Sequence, residues 1–422
     1  MPRAPRRRGG GRGRPSPRRA VSSPSPTPSE EEPRPPFFGT TFTTHRVSPL
    51  HIGGQPDDTT YLQTLGDRLR DTLIGDVVRG VYVGLDPGQG ELGKAGSLES
   101  VSLRWIQIRD LFSKTDHDRR SPSLGSDAPV GIDALGALAS KRGIWIDIQY
   151  ENAECTGVLL PDLSEEDDRA LPDQTWAASS AGGQVDPSHF VQLPLLLLRM
   201  PTPLKNIVVD WLASAFDCRI NSLTLGTRSL VSILEMWLRD AALPSRGVSG
   251  KEIVLTIGFS LPQPRDAAEV DEDEEAVEKV QMGIRSIDVT IAPGDVQRFV
   301  RAGKAIALES DQTRPTLWTG DAKTRKWLAG GNDDDGWGWK QDERRDGVSP
   351  QPFMDAVARY LDHHLALNLF HPCVRITKVA SPGFVLTESR VKVFETEDAK
   401  SVGALLGDVT ARSMGSDLPS VF

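Results

Sequence analysis

Leu193-Pro194-Leu195-Leu196-Leu197-Leu198 opens the stretch Leu193–Asp240, and the reading of that stretch decides the fold. The apolar run is short enough for a buried strand. Thr202 before Pro203 reads as a polar N-cap followed by proline at the first helical position. Leu204, Ile207, Val208, Trp211, Leu212 and Ala215 then recur at the spacing of one helical face, with Lys205 and Asp210 off it. A short segment with Ile220, Leu223 and Leu225 leads to a second helix carrying Leu230, Ile233, Leu234, Trp237 and Leu238. Two amphipathic helices and two strand-like runs can nucleate a core, and nothing in them is a reactive set. The centre of the chain is a scaffold.

Upstream, Phe37-Phe38 and Phe42–Val47 read as a strand closed by Ser48-Pro49, before a helix with Leu62, Leu65, Leu69 and Leu73 on one side. Val77–Leu85 and Val101–Ile108 read as strands joined by a glycine-rich connection. A short helix near Ala134–Ala139 precedes the alternating strand Ile144–Ile148. Residues 161–187 turn polar and mark a surface linker. Downstream, Ile253–Phe259 and Ile287–Ile291 alternate as strands, with the acid-rich Glu269–Glu278 between them. Val296, Phe299 and Val300 suggest a short helix ended by Gly303. A helix near Phe353–Leu369 leads to Val374 and Ile376, then to a hairpin of Phe384–Leu386 and Val391–Phe394. The expected organisation is a disordered tail (1–36), two α+β parts (37–187 and 188–395) and a polar, mobile C-terminus (396–422).

The chain has 422 residues, 38% of them apolar, enough for a sizeable core. Three scattered cysteines argue against a disulfide framework and for a reducing compartment. No N-terminal hydrophobic segment stands at the start, and the Leu193 run falls far short of the roughly 20 apolar residues that span a bilayer. A soluble, intracellular protein without membrane contact is expected. The net charge of −9 hides an asymmetry. The first twenty residues hold eight arginines and no acid, so the remainder carries 41 basic (49 less 8) against 58 acidic groups, or −17. Nucleic-acid contact on an acidic body starts from such a cationic tail.

Within that tail, Gly11-Arg12-Gly13-Arg14-Pro15, flanked by Arg6-Arg7-Arg8 and Arg18-Arg19, resembles the core of an AT-hook. In that family the Arg-Gly-Arg segment enters the narrow A·T minor groove, which makes Arg8, Arg12, Gly13, Arg14, Arg18 and Arg19 the candidate DNA contacts. A nuclear-import signal or a generic phosphate-binding arm has the same composition. Four Ser-Pro or Thr-Pro pairs between Ser16 and Pro28 fit proline-directed phosphorylation as well as any unstructured tail.

Enzyme-like signals are weaker than their alternatives. Gly88-Gln89-Gly90-Glu91-Leu92-Gly93-Lys94 matches a dinucleotide fingerprint and nearly a phosphate loop, yet both need a helix directly after the glycines. The sequel Val101–Trp105 has the period of a strand, and Ala95 stands where Ser or Thr would hold magnesium. His363, His364 and His371 lack companions at ligand spacing, so no metal is expected. Asp333-Asp334-Asp335-Gly336 lacks the terminal Glu of a calcium loop. Trp337 and Trp339 fit either an exposed partner anchor or a loop folded back on the body. No catalytic residue and no cofactor is expected.

Several segments together resemble the CENP-L family in its fungal branch. Thr44-His45-Arg46-Val47-Ser48-Pro49-Leu50 is similar to that family's "RLSPL"-type signature, in which His45, Arg46, Ser48, Pro49 and Leu50 are the matching positions. Cys218–Leu225, Ile284–Ile291, His371–Lys378, Gly383–Leu386 and Val391–Phe394 follow in the family's order and spacing. The Arg-rich tail, the acidic insertion and the Trp-rich loop at 330–347 depart from it. The resemblance implies an α+β fold of curved, largely antiparallel sheets packed against helices. It also implies a non-enzymatic inner-kinetochore subunit, placed in the nucleus at the centromere and serving chromosome segregation. That subunit pairs with CENP-N, which reads the CENP-A nucleosome, and a basic groove of the pair contacts centromeric DNA. The expected partner surface is the hairpin, offered as a sheet edge through Phe384, Leu386, Val391, Val393 and Phe394; its alternation fits an internal strand equally. A chromatin protein that binds A·T-rich DNA through its tail alone is the alternative.

Overall fold

The computed structural model describes residues 37–53, 59–78, 96–112, 140–163, 189–240, 252–260, 284–308, 317–329, 337–340, 351–395 and 399–414. In chain order the elements are β1 (Thr41–Val47), β2 (Leu50–His51), α1 (Thr59–Val78), β3 (Leu98–Gln107), α2 (Ile108–Phe112), β4 (Arg142–Tyr150), β5 (Ala153–Leu160), β6 (Phe190–Val191) and β7 (Leu195–Arg199). Then come α3 (Thr202–Ala215), β8 (Ile220–Ser222), α4 (Thr227–Asp240), β9 (Ile253–Phe259), β10 (Ser286–Ile291), α5 (Pro293–Leu308), α6 (Ala322–Leu328) and α7 (Pro352–Leu365). The chain closes with β11 (Val374–Ala380), β12 (Phe384–Thr387), β13 (Arg390–Val393) and α8 (Ala399–Ser413).

One antiparallel sheet runs β10-β9-β11-β12-β13-β1-β7-β5-β4-β3, with β8 joined to β1, and β2 pairs β6 separately. The fold is α+β, as the pattern predicts. The Leu193 run explains the sheet's centre. Leu195 and Leu197 belong to one apolar cluster and Leu196 and Leu198 to the other, so β7 is buried on both faces. A strand covered on both sides reads as a continuous apolar run rather than an alternation. On the first face, α4, α7 and α8 supply Leu234, Val357 and Leu405. On the second, α1 supplies Leu62, Leu65, Leu69 and Leu73, and α3 supplies Leu204, Val208 and Leu212.

Five expectations are corrected. The two α+β parts are not separate bodies: residues 35–422 form one compact unit, and β5 pairs β7 across the expected linker. Thr202 does not cap α3; the N-cap is Pro201, no side chain caps it, and Pro203 lies inside the first turn. Val77 and Val78 end α1 rather than begin a strand. Gly303 does not stop α5, because a Cβ there would collide with the Pro352 carbonyl of α7. Glycine lets the two helices approach closely, and this outweighs its roughly 1 kcal/mol helix penalty. The C-terminus is not a mobile tail over 399–413: α8 buries Val402, Leu405, Leu406 and Val409. Its small and polar residues hide a stripe at helical spacing.

Candidate nucleic-acid interface

The strands β9 to β13 alternate, apart from a bulge in β11 between Ile376 and Lys378, and their pairing sorts the side chains onto two faces. Val391, Leu386, Val379 and Leu255 share a row of the buried face. Arg390 is partnered by Thr43, and Lys392 by Thr41 and Val385, on the opposite face. Lys378 pairs with Thr256 and Thr387, and Arg375 with Gly258, on that same side. The second apolar cluster ends at β1 and β7, where Leu198 adjoins Thr43. Beyond that line no described helix adds residues to an apolar cluster on this face. Threonine, a β-former with a hydroxyl, suits a strand surface left to water.

Arg375, Lys378, Arg390 and Lys392 thus stand on one open sheet face of threonines and short apolar side chains. No ion pair engages them among the described residues. Asp288 is the acid at the β10 margin, and its Oδ1 accepts from Thr256 Oγ1 at 2.6 Å. Lys392 Nζ lies 5.3 Å from the Phe394 ring centroid. The sequence held this signal in Val391-Lys392-Val393 and Val374-Arg375-Ile376, where cations alternate with buried residues. It went unread because alternation does not tell which face another element covers.

A free edge lies next to this face. Phe259 N–H donates to the Arg285 carbonyl, which fixes the phase of the β9–β10 ladder. Odd-numbered residues of β10 bond β9, so the backbone groups of Ser286, Asp288 and Thr290 point outward. No described strand pairs with them. Beside them, Ile284 is 70% exposed.

The hairpin expected to offer that edge does not. β12 is paired on its other side by β11 and β13 by β1, so both strands are interior. Phe384, Leu386, Val391 and Val393 are core residues with at most 2% exposure, and Phe394 is half-buried. The residues expected to carry the family signature lie in β1, in the turn after it and at the start of β2. His45 is buried, and burial, then nearby Lys205, lowers its pKa. Ser48 N–H donates to the Arg219 carbonyl, Arg219 N–H returns to Ser48 Oγ at 2.9 Å, and Leu50 is buried beyond the half-buried Pro49. Arg46 is exposed.

Trp337 is folded back on the body: it is buried, its Nε1–H donates to the Val374 carbonyl at 2.9 Å, and its ring meets Phe370 at 4.9 Å. Next to it sits a buried polar cluster. Lys340 Nζ lies 2.6 Å from Asp355 Oδ1 and 4.8 Å from the Phe370 centroid. Glu235 Oε1 accepts from Met354 N–H at 2.8 Å in the first turn of α7, and burial pushes its pKa up to about 7. These groups pin α4, α7 and the Trp337–Lys340 turn together. His363 and His364 are exposed neighbours on α7, and His371 Nδ1 accepts from Cys373 N–H. No group of three metal-ligating side chains occurs among the described residues. No described helix is long and apolar enough to cross a membrane. The tail arginines, the Gly88–Lys94 loop, Ala134–Ala139, Glu269–Glu278 and Asp333–Gly336 lie outside the described residues.

The family model described as CENP-L, centromere protein L, matches residues 36–414. No curated protein matches the chain.

Proposed function

The chain belongs to the centromere protein L family, and from that premise we propose a non-enzymatic structural subunit that pairs with a CENP-N-like partner through β10 and contacts DNA through the open sheet face. As a family member it is a kinetochore protein, located in the nucleus on the centromeres of chromosomes. The observation that carries the pairing is the outward row of backbone groups at Ser286, Asp288 and Thr290. An extended segment of the partner can add there as a further strand, with Ile284 as an apolar anchor. Four cations that no ion pair engages among the described residues suit the phosphate backbone, which sets affinity and position without reading bases. Recognition of the CENP-A nucleosome then rests with the partner, and other inner-kinetochore proteins join the assembled pair. The tail residues Arg8, Arg12, Gly13, Arg14, Arg18 and Arg19 add a minor-groove contact.

Co-purification with the CENP-N-like subunit tests the pairing. Asp288→Pro with Thr290→Pro removes two outward N–H groups while sparing the bonds to β9. The expected result is lost co-purification with an unchanged thermal midpoint. Pairing at the parent level would refute the edge.

A further inference from the structure

The two ends of the sheet differ. At the β3 end, α1 lies against the strand's backbone: a Cβ on Gly66 would stand 3.5 Å from both Leu103 N and the Val101 carbonyl oxygen. At the β10 end no described strand pairs the outward groups, so the side chains decide what joins. Ile287 and Val289 are half-buried at the margin of the first apolar cluster, while Asp288 between them is exposed on the other face. Asp288 makes no ion pair among the described residues. Its Oδ1 accepts from Thr256 Oγ1 on β9, which holds the carboxylate over the sheet face. A new strand added antiparallel, as β9 is to both its neighbours, exchanges both backbone bonds with Asp288 at a Cα separation of about 5.5 Å. The side chain of that opposing residue lies beside the carboxylate, and the residues flanking it lie beside Ile287 and Val289. We infer that Asp288 selects the strand that joins this edge: a partner segment with lysine or arginine between two apolar residues, and not a second copy of this chain. In a pairing of β10 with β10 that sets Ser286 against Thr290, Asp288 falls opposite Asp288. Like charges directly opposite are destabilising, so one carboxylate attracts the partner and repels the copy.

The inference rests on β10 being the pairing edge, so the experiment separates the two. Asp288→Asn removes the charge at constant size and keeps an acceptor for Thr256 Oγ1, and Asp288→Lys reverses the charge. Each full-length variant is titrated against the proposed CENP-N-like subunit at low and high salt. The Kd should rise about two- to fivefold in Asp288→Asn and further in Asp288→Lys, with the differences narrowing at high salt. Sedimentation velocity of the chain alone should show Asp288→Asn self-associating at concentrations where the parent stays monomeric. A thermal midpoint shared with the parent shows that the fold is unaffected. If Asp288→Lys binds as tightly as the parent while Asp288→Pro/Thr290→Pro fails to pair, the edge stands and the inference is overturned. Equal self-association of Asp288→Asn and the parent overturns it as well. If the proline variant pairs at the parent level, the edge and the inference fall together.

Discussion

Removing Lys340 should destabilise the body more than any surface change, and the size follows from its surroundings. Its side chain is 3% exposed, its partner Asp355 9%, and the ion pair is 2.6 Å long. In Lys340→Ala the Asp355 carboxylate stays buried opposite a void, and breaking such a pair costs about 3–5 kcal/mol. The cation over Phe370 is lost as well. Unfolding entropy is about 2.1 cal/mol/K per residue, so the 242 described residues amount to about 0.5 kcal/mol/K, and the midpoint should fall by about 6–10 °C. The paired change Lys340→Met/Asp355→Leu removes both charges while keeping apolar volume, and should recover most of that loss. Differential scanning calorimetry of both variants, with Asp355→Leu closing the double-mutant cycle, measures the coupling. A single variant within about 1 °C of the parent, or a double variant as unstable as the sum of the singles, would refute the reasoning.

Other outcomes follow from the same packing. Burial raises the Glu235 pKa to about 7 from an ordinary 4.5, so the fold favours the protonated form. Its contribution is fully present below about pH 4.5 and is lost as pH rises through about 7. Glu235→Gln keeps an acceptor for Met354 N–H, and its midpoint advantage over the parent should grow between pH 5 and 8; a pH-independent difference would remove Glu235 as the cause. Val391→Asp and Val393→Asp place charges in the sheet core and should each cost about 3 kcal/mol or more, leaving little folded protein. A folded Val391→Asp that merely loses its partner would return the hairpin to the interface. Gly303→Ala should lower the midpoint despite better helix propensity, because α5 must move off Pro352; a gain in stability would contradict that contact. Arg12→Ala with Arg14→Ala should weaken duplex binding and reduce its salt slope by about 2, and identical salt curves would remove the tail from DNA binding.

The element types were legible where periodicity was strong. Leu62, Leu65, Leu69 and Leu73 gave α1, and the alternation of Ile253–Phe259 gave β9. The Leu193 run showed a buried strand, and its lack of alternation already implied cover on both faces. What local pattern cannot hold is who lies next to whom. The hairpin's alternation is shared by edge and interior strands, and only the β13–β1 pairing, between residues far apart in sequence, makes it interior. The same gap hid the basic face: Arg375 and Arg390 become neighbours of one surface only through strand order. Gly303 misled because the reason for glycine lies on α7, not in its own helix. In α8, alanines, glycines and serines diluted the stripe of Val402, Leu405, Leu406 and Val409.

Amide hydrogen exchange on the full chain, alone and mixed with the proposed CENP-N-like partner, tests most directly the proposal that pairing extends the sheet at β10. The account predicts new protection at Ser286, Asp288 and Thr290, whose N–H groups point outward in the free chain, with little change at the already bonded β12 and β13. Unchanged exchange at those three amides, with protection gained elsewhere on the body, would contradict it.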